Sequence, residues 1–405
     1  GIPLQSAKNP CKPAVALSVD DPREVYLDYS ATTPLRPEVA QSLTDFYGDA
    51  GLFGNPSSSH LPGKRAHEAV ARARAAVAEC LAVPADSIVF TGGGSESNNL
   101  AIKGLAFEWL RRRGARGHLI TGKTEHASVL GAMRFLETLG FEVTYLDPTR
   151  DGIVTAESVR RALTRDTVLV SLMAVNNETG TVNPTAEVAS ACHERGALFM
   201  ADAVQAFGKM PVKPQEWGVD LMSITGHKIY GPKGVGALYV RPGLALTPLV
   251  HGGEQEGGQR AGTENAAGIH AFGVAAGLAH RQLAAESVQV ASLRDYFLSE
   301  LRRVESGLVV VGGGADRVPH VLNVGFAGVD GGALLLSLNN IGVYVSAGSA
   351  CAAGKGEVSH VIKAMGLDTG RYGTVRFSLG LKTTKEDIDY VLRYLPLILA
   401  KLRGR

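Results

Sequence analysis

Between Ile88 and Val240, short apolar runs alternate with helix-length segments, and this alternation restricts the fold more than any other feature of the chain. The runs at 88–91, 118–121, 141–146, 167–173, 197–201, 221–224 and 237–240 have strand length and are rich in Val, Ile, Leu and Phe. A helix through Arg113 follows the first run, and stretches at 127–139, 155–164 and 184–195 separate later ones. Strands spaced by helices predict crossover connections, and hence an α/β domain with a mainly parallel sheet. Ligands of such sheets bind beyond the carboxyl ends of the strands. Polar residues that follow each run are therefore the first candidates for a site.

The pattern ahead of and behind this region differs. Residues 1–24 show no period and no long apolar core, and read as a disordered extension or a leftover of expression. Val25 to Pro34 is a short strand ending in a polar turn, and helices follow at 37–48 and 60–81. After Val240 come a Gly-rich polar loop at 251–262 and a long helix at about 264–304, expected to break near Gln282 to Glu286. Short strands at 308–311, 320–326, 343–345 and 374–378 then alternate with helices at 330–340, 358–365 and 385–402. The division predicted is a large domain at 37–263 and a smaller α+β domain built from 25–36 and 264–405, with the long helix as the join.

Composition closes off several function classes. Lysine and arginine number 41 against 39 acidic residues, a net charge of +2, which gives no electrostatic footprint for nucleic acid or an anionic membrane. No apolar run reaches transmembrane length. Cys11, Cys80, Cys192 and Cys351 are far apart and lack metal-ligand spacing, so no metal site is expected. A chain of 405 residues has no need of disulfides, and a reducing cytoplasm is the expected location.

Four strand ends carry polar groups. Thr225-Gly-His227-Lys228 follows the run at 221–224, ahead of a Gly/Pro-punctuated turn. A lysine there is a surface residue, or it pairs with a carboxylate, or it reacts as an amine, because a buried ammonium is costly. Asp202 ends the run at 197–201, where a carboxylate can hold a proton on a pyridine nitrogen or cap a helix. Glu125-His126 and Asn176-Asn177 end two others, and a histidine there can stack on a flat ring, shuttle protons or be incidental. Gly92-Gly-Gly94-Ser95 joins a strand to a helix. Its glycines permit close backbone approach, and the helix N-terminus suits an anion, although a Gly-rich turn with a serine cap has the same appearance.

A second centre lies late in the chain. In Ser346-Ala-Gly-Ser-Ala-Cys351-Ala-Ala-Gly the cysteine sits among small residues, which suits a pliable loop carrying a nucleophilic thiol, away from Lys228 in the resting state. The other reading is a small buried cysteine. Arg376, on the strand 374–378, offers a planar guanidinium for a carboxylate.

These residues resemble a known family, the pyridoxal-phosphate-dependent cysteine desulfurases of the NifS/IscS type. The resemblance runs from about Tyr26 to the C-terminus. It rests on Leu-Asp-Tyr-Ser-Ala-Thr-Thr-Pro, Gly-Asn-Pro-Ser-Ser-Ser-His, Gly-Ser-Glu-Ser-Asn-Asn-Leu-Ala, Glu-His-Ala-Ser-Val-Leu, Asn-Asn-Glu-Thr-Gly, Asp-Ala-Val-Gln, Gly-His-Lys-Ile-Tyr-Gly-Pro-Lys-Gly, Arg-Ala-Gly-Thr, Ser-Ala-Gly-Ser-Ala-Cys and Arg-Phe-Ser-Leu-Gly, in that order. The wording of the chain is also close to the desulfurase of DNA phosphorothioation systems.

What the resemblance implies is specific. The fold would be that of fold type I, the aspartate-aminotransferase type, with a mainly parallel seven-stranded sheet in the large domain. Lys228 would hold the cofactor through a Schiff base. Asp202 would pair with the ring nitrogen and Gln205 with the phenolic oxygen, while His126 would stack on the ring. Gly94, Ser95, Thr225 and His227 would bind the phosphate, with Thr263 reaching the partner subunit's phosphate across a homodimer interface. Asn177 and Arg376, helped by Asn55, would hold the substrate carboxylate. Cys351 would take sulfur from L-cysteine as a persulfide, leaving alanine, and deliver it to an acceptor protein for iron–sulfur cluster assembly, tRNA thiolation or DNA phosphorothioation. A selenocysteine lyase, another fold type I enzyme and a non-catalytic sulfur-transfer scaffold are the rival readings. Ala352 stands where the family usually has threonine, and Glu254 and Gly257 stand where glycine and arginine are common.

Overall fold

The computed structural model describes residues 14–19, 21–48, 51–347 and 358–404. Seven strands form the large sheet, in the order Ile88–Thr91, Gly236–Val240, Leu221–Thr225, Leu198–Asp202, Thr167–Met173, His118–Gly122 and Glu142–Leu146. The last five pair in parallel. Gly236–Val240 runs antiparallel to both of its neighbours.

The central strand Thr167–Met173 is buried at every position. An unbroken apolar run suits a parallel strand covered on both faces. Successive side chains leave the sheet on opposite sides, and the two cores follow from that period. Leu119, Leu169, Leu221 and Leu238 pack under the helices Gly94–Arg113 and Ala127–Thr138. Their chain neighbours Ile120, Val170, Met222 and Tyr239 pack on the other face against Val77, Val188 and Phe272. Each fully buried Leu, Ile or Val contributes about 1.5–3 kcal/mol.

A smaller antiparallel sheet, in the order Tyr372–Ser378, Val321–Ala327 and Val309–Val310, belongs to a separate core. Val25 and Leu27 join it from the start of the chain, with Leu338, Ile388 and Leu395 from the helices Gly331–Asn340 and Lys385–Leu402. Phe297 and Phe377 meet edge to face at 5.0 Å in its centre. Within the stretch 1–24, Leu17 and Val19 pack against this core and Val15 donates its N–H to Ser337 Oγ at 2.9 Å. That part of the extension is thus seated on the fold.

The helix Ala266–Val304 spans both cores: Ile269, Phe272 and Ala276 lie in the first, Val290, Phe297 and Leu301 in the second. It runs without the break expected near Gln282 to Glu286. The polar residues that suggested a break are instead paired. Arg36 donates to Gln282 Oε1 and to Glu286 Oε1, each at 2.6 Å, so this polar patch is an intramolecular contact face and the helix continues through it.

Gly236 marks where the reversed strand passes the loop ahead of Gly94–Arg113. A Cβ on Gly236 would lie 2.7 Å from the Ile224 carbonyl oxygen and 2.8 Å from backbone atoms of Gly93. Gly131, on the exposed side of Ala127–Thr138, has nothing within 4 Å of the same position. Gly236→Ala should therefore lower stability by about 1–3 kcal/mol through overpacking. Gly131→Ala should raise it by about 0.5–1 kcal/mol through helix propensity. Urea midpoints of the two variants moving in the same direction would contradict this account.

Candidate active site

A cavity of about 350 Å³ opens at the carboxyl ends of the large-sheet strands. Of the residues singled out in the sequence, Gly94, Ser95, His126, Asn177, Asp202, Gln205, Thr225, His227, Lys228 and Arg376 line it. Asn55 and Thr263 are exposed and do not line the cavity of this chain. Cys351, and with it the expected placement of its loop, lies outside the described residues.

Lys228 is presented by a turn that the start of the chain clamps. Thr33 donates its N–H and its hydroxyl to the His227 carbonyl at 3.0 and 2.8 Å, and its Oγ1 accepts from Tyr230 N at 2.8 Å. Tyr230 is left-handed, with φ of 63°, an uncommon conformation for an aromatic residue that its surroundings must impose. Its hydroxyl accepts from Leu381 N at 3.0 Å, which ties the turn to the chain just after the strand Tyr372–Ser378. The Lys228 amine donates to the Ser30 carbonyl and, at 2.7 Å, to the Ala31 carbonyl. Gln205 Nε2 also donates to the Ser30 carbonyl, at 2.9 Å.

Asp202 ends its strand with both carboxylate oxygens engaged. Val204 N donates to Oδ1 at 3.0 Å and Asn98 Nδ2 to Oδ2 at 2.9 Å. The bond to Val204 closes a turn and not the helix cap that was the other reading, since no helix opens directly after Asp202, and the same side chain lines the cavity. Asn98 further donates to Ser128 Oγ at 2.9 Å, and Ser128 Oγ meets His126 Nδ1 at 2.7 Å. Asp202 and His126 are therefore linked through two polar side chains. Ser128 N donates to His126 Nδ1 at 3.1 Å, capping the helix Ala127–Thr138. With that nitrogen accepting, a neutral imidazole carries its proton on Nε2.

At the opposite end the helix Gly94–Arg113 begins after Gly93 without a side-chain cap. Its first N–H groups are the unmet donors of a helix N-terminus, with Thr225 and His227 beside them in the cavity wall. Burial, and then the charges of Lys228 and Lys233, lower the His227 pKa to about 4. Burial also lowers that of His126. Glu125, behind His126, is fully buried, and its carboxyl is pushed well above the usual range by desolvation.

Arg376 closes the remaining side. It donates from one terminal nitrogen to the Asn177 carbonyl at 2.8 Å and from the other to Asp28 Oδ1 at 2.7 Å. Asp28, Ser30, Asn98 and Ser128 are contributors the sequence did not single out. Asn98 had a signal, since it lies three residues after Ser95 on one helix face. Ser30 acts through its carbonyl, which leaves no mark on residue type.

The residues fit pyridoxal phosphate. A primary amine, a carboxylate suited to a ring nitrogen, and uncapped N–H groups suited to a phosphate all face one cavity. Asn98 Oδ1 and Ser30 Oγ are buried there without a hydrogen-bond partner among the described residues.

The chain matches the family described as Aminotransferase class-V over residues 25–391. It is 47% identical over 382 residues to a cysteine desulfurase IscS of Dictyoglomus turgidum, covering 94% of this chain and 96% of that one. Among solved structures, a NifS-like protein superposes with a TM-score of 0.86 at 34% identity, covering 94% of this chain and all of the other (100%). A structure described as SspA in complex with cysteine gives 0.78 at 37% identity, over 88% of this chain and 99% of that one.

The half-buried His227 generates a pH dependence. His227 has a folded pKa of about 4 against an ordinary 6.5, so the unfolded chain takes up its proton first as pH falls. Its contribution to stability is complete above pH 6.5 and is lost progressively toward pH 4. His227→Gln should flatten that part of the acid limb. Urea midpoints at pH 6.5 and pH 4 falling as steeply in the variant as in the parent would refute the assignment.

Proposed function

Because the chain belongs to the class-V aminotransferase family and is a pyridoxal-phosphate-dependent cysteine desulfurase, we propose that the residues of this cavity divide the conversion of L-cysteine to L-alanine among themselves. The observation that carries the assignment is that Lys228 and Asp202 line one cavity with Arg376 beside them. When bound, pyridoxal phosphate supplies an electron sink for the α carbon of an amino acid. Lys228 anchors the cofactor and moves the substrate's α proton. The Ser30 and Ala31 carbonyls orient its amine for that transfer. Asp202 holds a proton at the ring nitrogen, with Asn98 and Val204 N fixing its carboxylate. His126 presents a neutral imidazole to the ring face, and Gln205 reaches the phenolic oxygen. Gly94, Ser95, Thr225 and His227 bind the phosphate. Arg376 and Asn177 orient the substrate carboxylate. Asn55 assists from outside the cavity of this chain.

Cys351 accepts the sulfur in this proposal. Its thiolate bonds to the substrate sulfur as the carbon–sulfur bond breaks, and the electron pair stays with the carbon skeleton. The substrate sulfur is oxidised to the persulfide level while Cβ is reduced from methylene to methyl, so no outside redox partner is needed. The products are alanine and a persulfide, which goes on to an acceptor protein in iron–sulfur assembly, tRNA thiolation or DNA phosphorothioation. The scattered cysteines support a reducing, cytoplasmic setting.

Lys228→Ala should lose about 10²–10⁴-fold in alanine formation, the usual value of a positioned acid–base group. Cys351→Ser should bind cysteine yet form no persulfide. A sulfur adduct found by mass spectrometry on Cys80 or Cys192, with Cys351 unmodified, would overturn the sulfur assignment.

We also propose a homodimer in which Thr263 of each chain reaches the phosphate of the other's site. The exposure of Thr263 away from its own cavity supports this reading. Sedimentation should give a dimer mass at working concentration. A fully active monomer would rule the arrangement out.

A further inference from the structure

The leading end of the segment that carries Cys351 is paired with Arg376, whose guanidinium reaches the Asn177 carbonyl, and the trailing end is fastened to Glu178, the next residue of the same turn. On the leading side, Ser346 exchanges both backbone hydrogen bonds with Arg376, at 3.2 and 2.7 Å. The guanidinium of Arg376 in turn donates to the Asn177 carbonyl at 2.8 Å. On the trailing side, Ser359 opens the helix His360–Ala364 and is buried. Its Oγ accepts from Val361 N at 3.1 Å and from Ile362 N at 3.4 Å. With its lone pairs so engaged, the hydroxyl proton is free to point elsewhere, and it is given to Glu178 Oε2. Asn177 and Glu178 are adjacent.

Among the described residues the Ser359 hydroxyl is the one hydrogen-bond donor to the Glu178 carboxylate, with the charges of Arg376 and His360 near it. Glu178 is fully buried, and its second oxygen, Oε1, has no hydrogen-bond partner among the described residues. A carboxyl so placed is costly, and burial raises its pKa. Its backbone is held rigidly: Asn176 Oδ1 accepts from Glu178 N at 2.8 Å, and the Glu178 carbonyl accepts from Asn323 Nδ2 at 3.0 Å. The next residue after Ser359, His360, adds a second tie, with Nε2 against the Glu125 carbonyl at 2.9 Å, one residue before His126.

We infer that Glu178 is a positioning residue for sulfur transfer: through the Ser359 hydroxyl it fixes the trailing root of the Cys351 segment to the turn that presents Asn177. The inference rests on the proposed role of Cys351 and deepens it. Substrate binding uses Asn177 and Arg376 on the leading side. The transfer step, which needs the thiol within reach of the substrate sulfur, depends on both roots. Asn177 and Glu178 thus set substrate carboxylate and thiol segment from one rigid turn.

The test is steady-state alanine formation by the holoenzyme, together with mass mapping of the persulfide after exposure to cysteine. Glu178→Ala should lower kcat about tenfold to a hundredfold, the range expected when a reacting group is displaced, with KM for cysteine and the cofactor absorbance unchanged. Glu178→Gln keeps an acceptor for Ser359 and should recover most of the rate. Ser359→Gly removes the hydroxyl while retaining most of the capping preference, and should reproduce the Glu178→Ala defect. The double variant should be no slower than either single one, because both break the same contact. Should Glu178→Ala fail to fold, Ser359→Gly carries the same comparison. A wild-type kcat in Ser359→Gly, a KM that rises in step with the fall in kcat, or additive losses in the double variant would overturn the inference. A parent enzyme whose persulfide maps to another cysteine would instead sink the Cys351 assignment itself, so the two failures are distinguishable.

Discussion

Arg376 is only 1% exposed, and its two terminal nitrogens find partners inside the protein while Nε has none among the described residues; through side chain and backbone together the residue joins three remote parts of the chain. Asp28 comes from the first ordered strand region, the Asn177 carbonyl from a turn of the large sheet, and Ser346 from the segment ahead of Cys351. Removing the Asp28 carboxylate or the Asn177 carbonyl contact leaves a buried charge short of a hydrogen bond, which is far more costly than losing an exposed ion pair, whereas Ser346 pairs with the Arg376 backbone. The approach of the smaller sheet to the larger one is therefore fastened beside the cavity itself. The same group that would orient a substrate carboxylate also holds the wall in place.

The lysine turn shows the second half of this arrangement. Its left-handed Tyr230 is stabilised by Thr33 below and by Leu381 N above, one contact from each end of the chain. Lys228, Gln205 and the Ser30 carbonyl then form a local cluster in which backbone oxygens aim the amine. Side chains on a rigid sheet edge, supported by backbone on the neighbouring segment, keep the reacting groups within the small tolerance that catalysis allows.

Much of this was legible in the sequence, for identifiable reasons. The sheet could be read because buried parallel strands are short continuous apolar runs, and Thr167–Met173 is buried throughout. Lys228, Asp202, His126 and Ser95 could be read because each follows such a run, where ligands of α/β sheets bind. What escaped notice depends on partners far along the chain. Asp28 meets Arg376 across 348 positions. The continuity of Ala266–Val304 depends on Arg36, which is 246 residues from Gln282. Carbonyl acceptors such as that of Ser30 are invisible to any reading based on residue type. Cys351 was singled out from composition alone, through the small residues around it, and lies outside the described residues.

The titratable groups around the cavity separate by how well they are solvated by the protein. Glu125 is buried without a side-chain partner among the described residues, and desolvation drives it toward the neutral acid. His126 and His227 are likewise driven toward neutral imidazoles, chiefly by burial, with the charge of Lys228 acting in the same sense. Asp202 is given two N–H donors, and Arg376 is given a carboxylate and a carbonyl. A low-dielectric cavity strengthens every remaining charge interaction, so unpaired charges beside the amine and the ring partner would oppose the ones that are needed. Neutralising Glu125, His126 and His227 by burial, while hydrogen-bonding the charged groups, leaves the field of the cavity to be set by Lys228, Asp202 and Arg376. Glu178 stands between the two classes: buried like Glu125, yet given one hydroxyl by Ser359. A group half-satisfied in this way is kept at an energetic cost, and that cost is understandable where its one contact holds the end of the segment bearing the thiol.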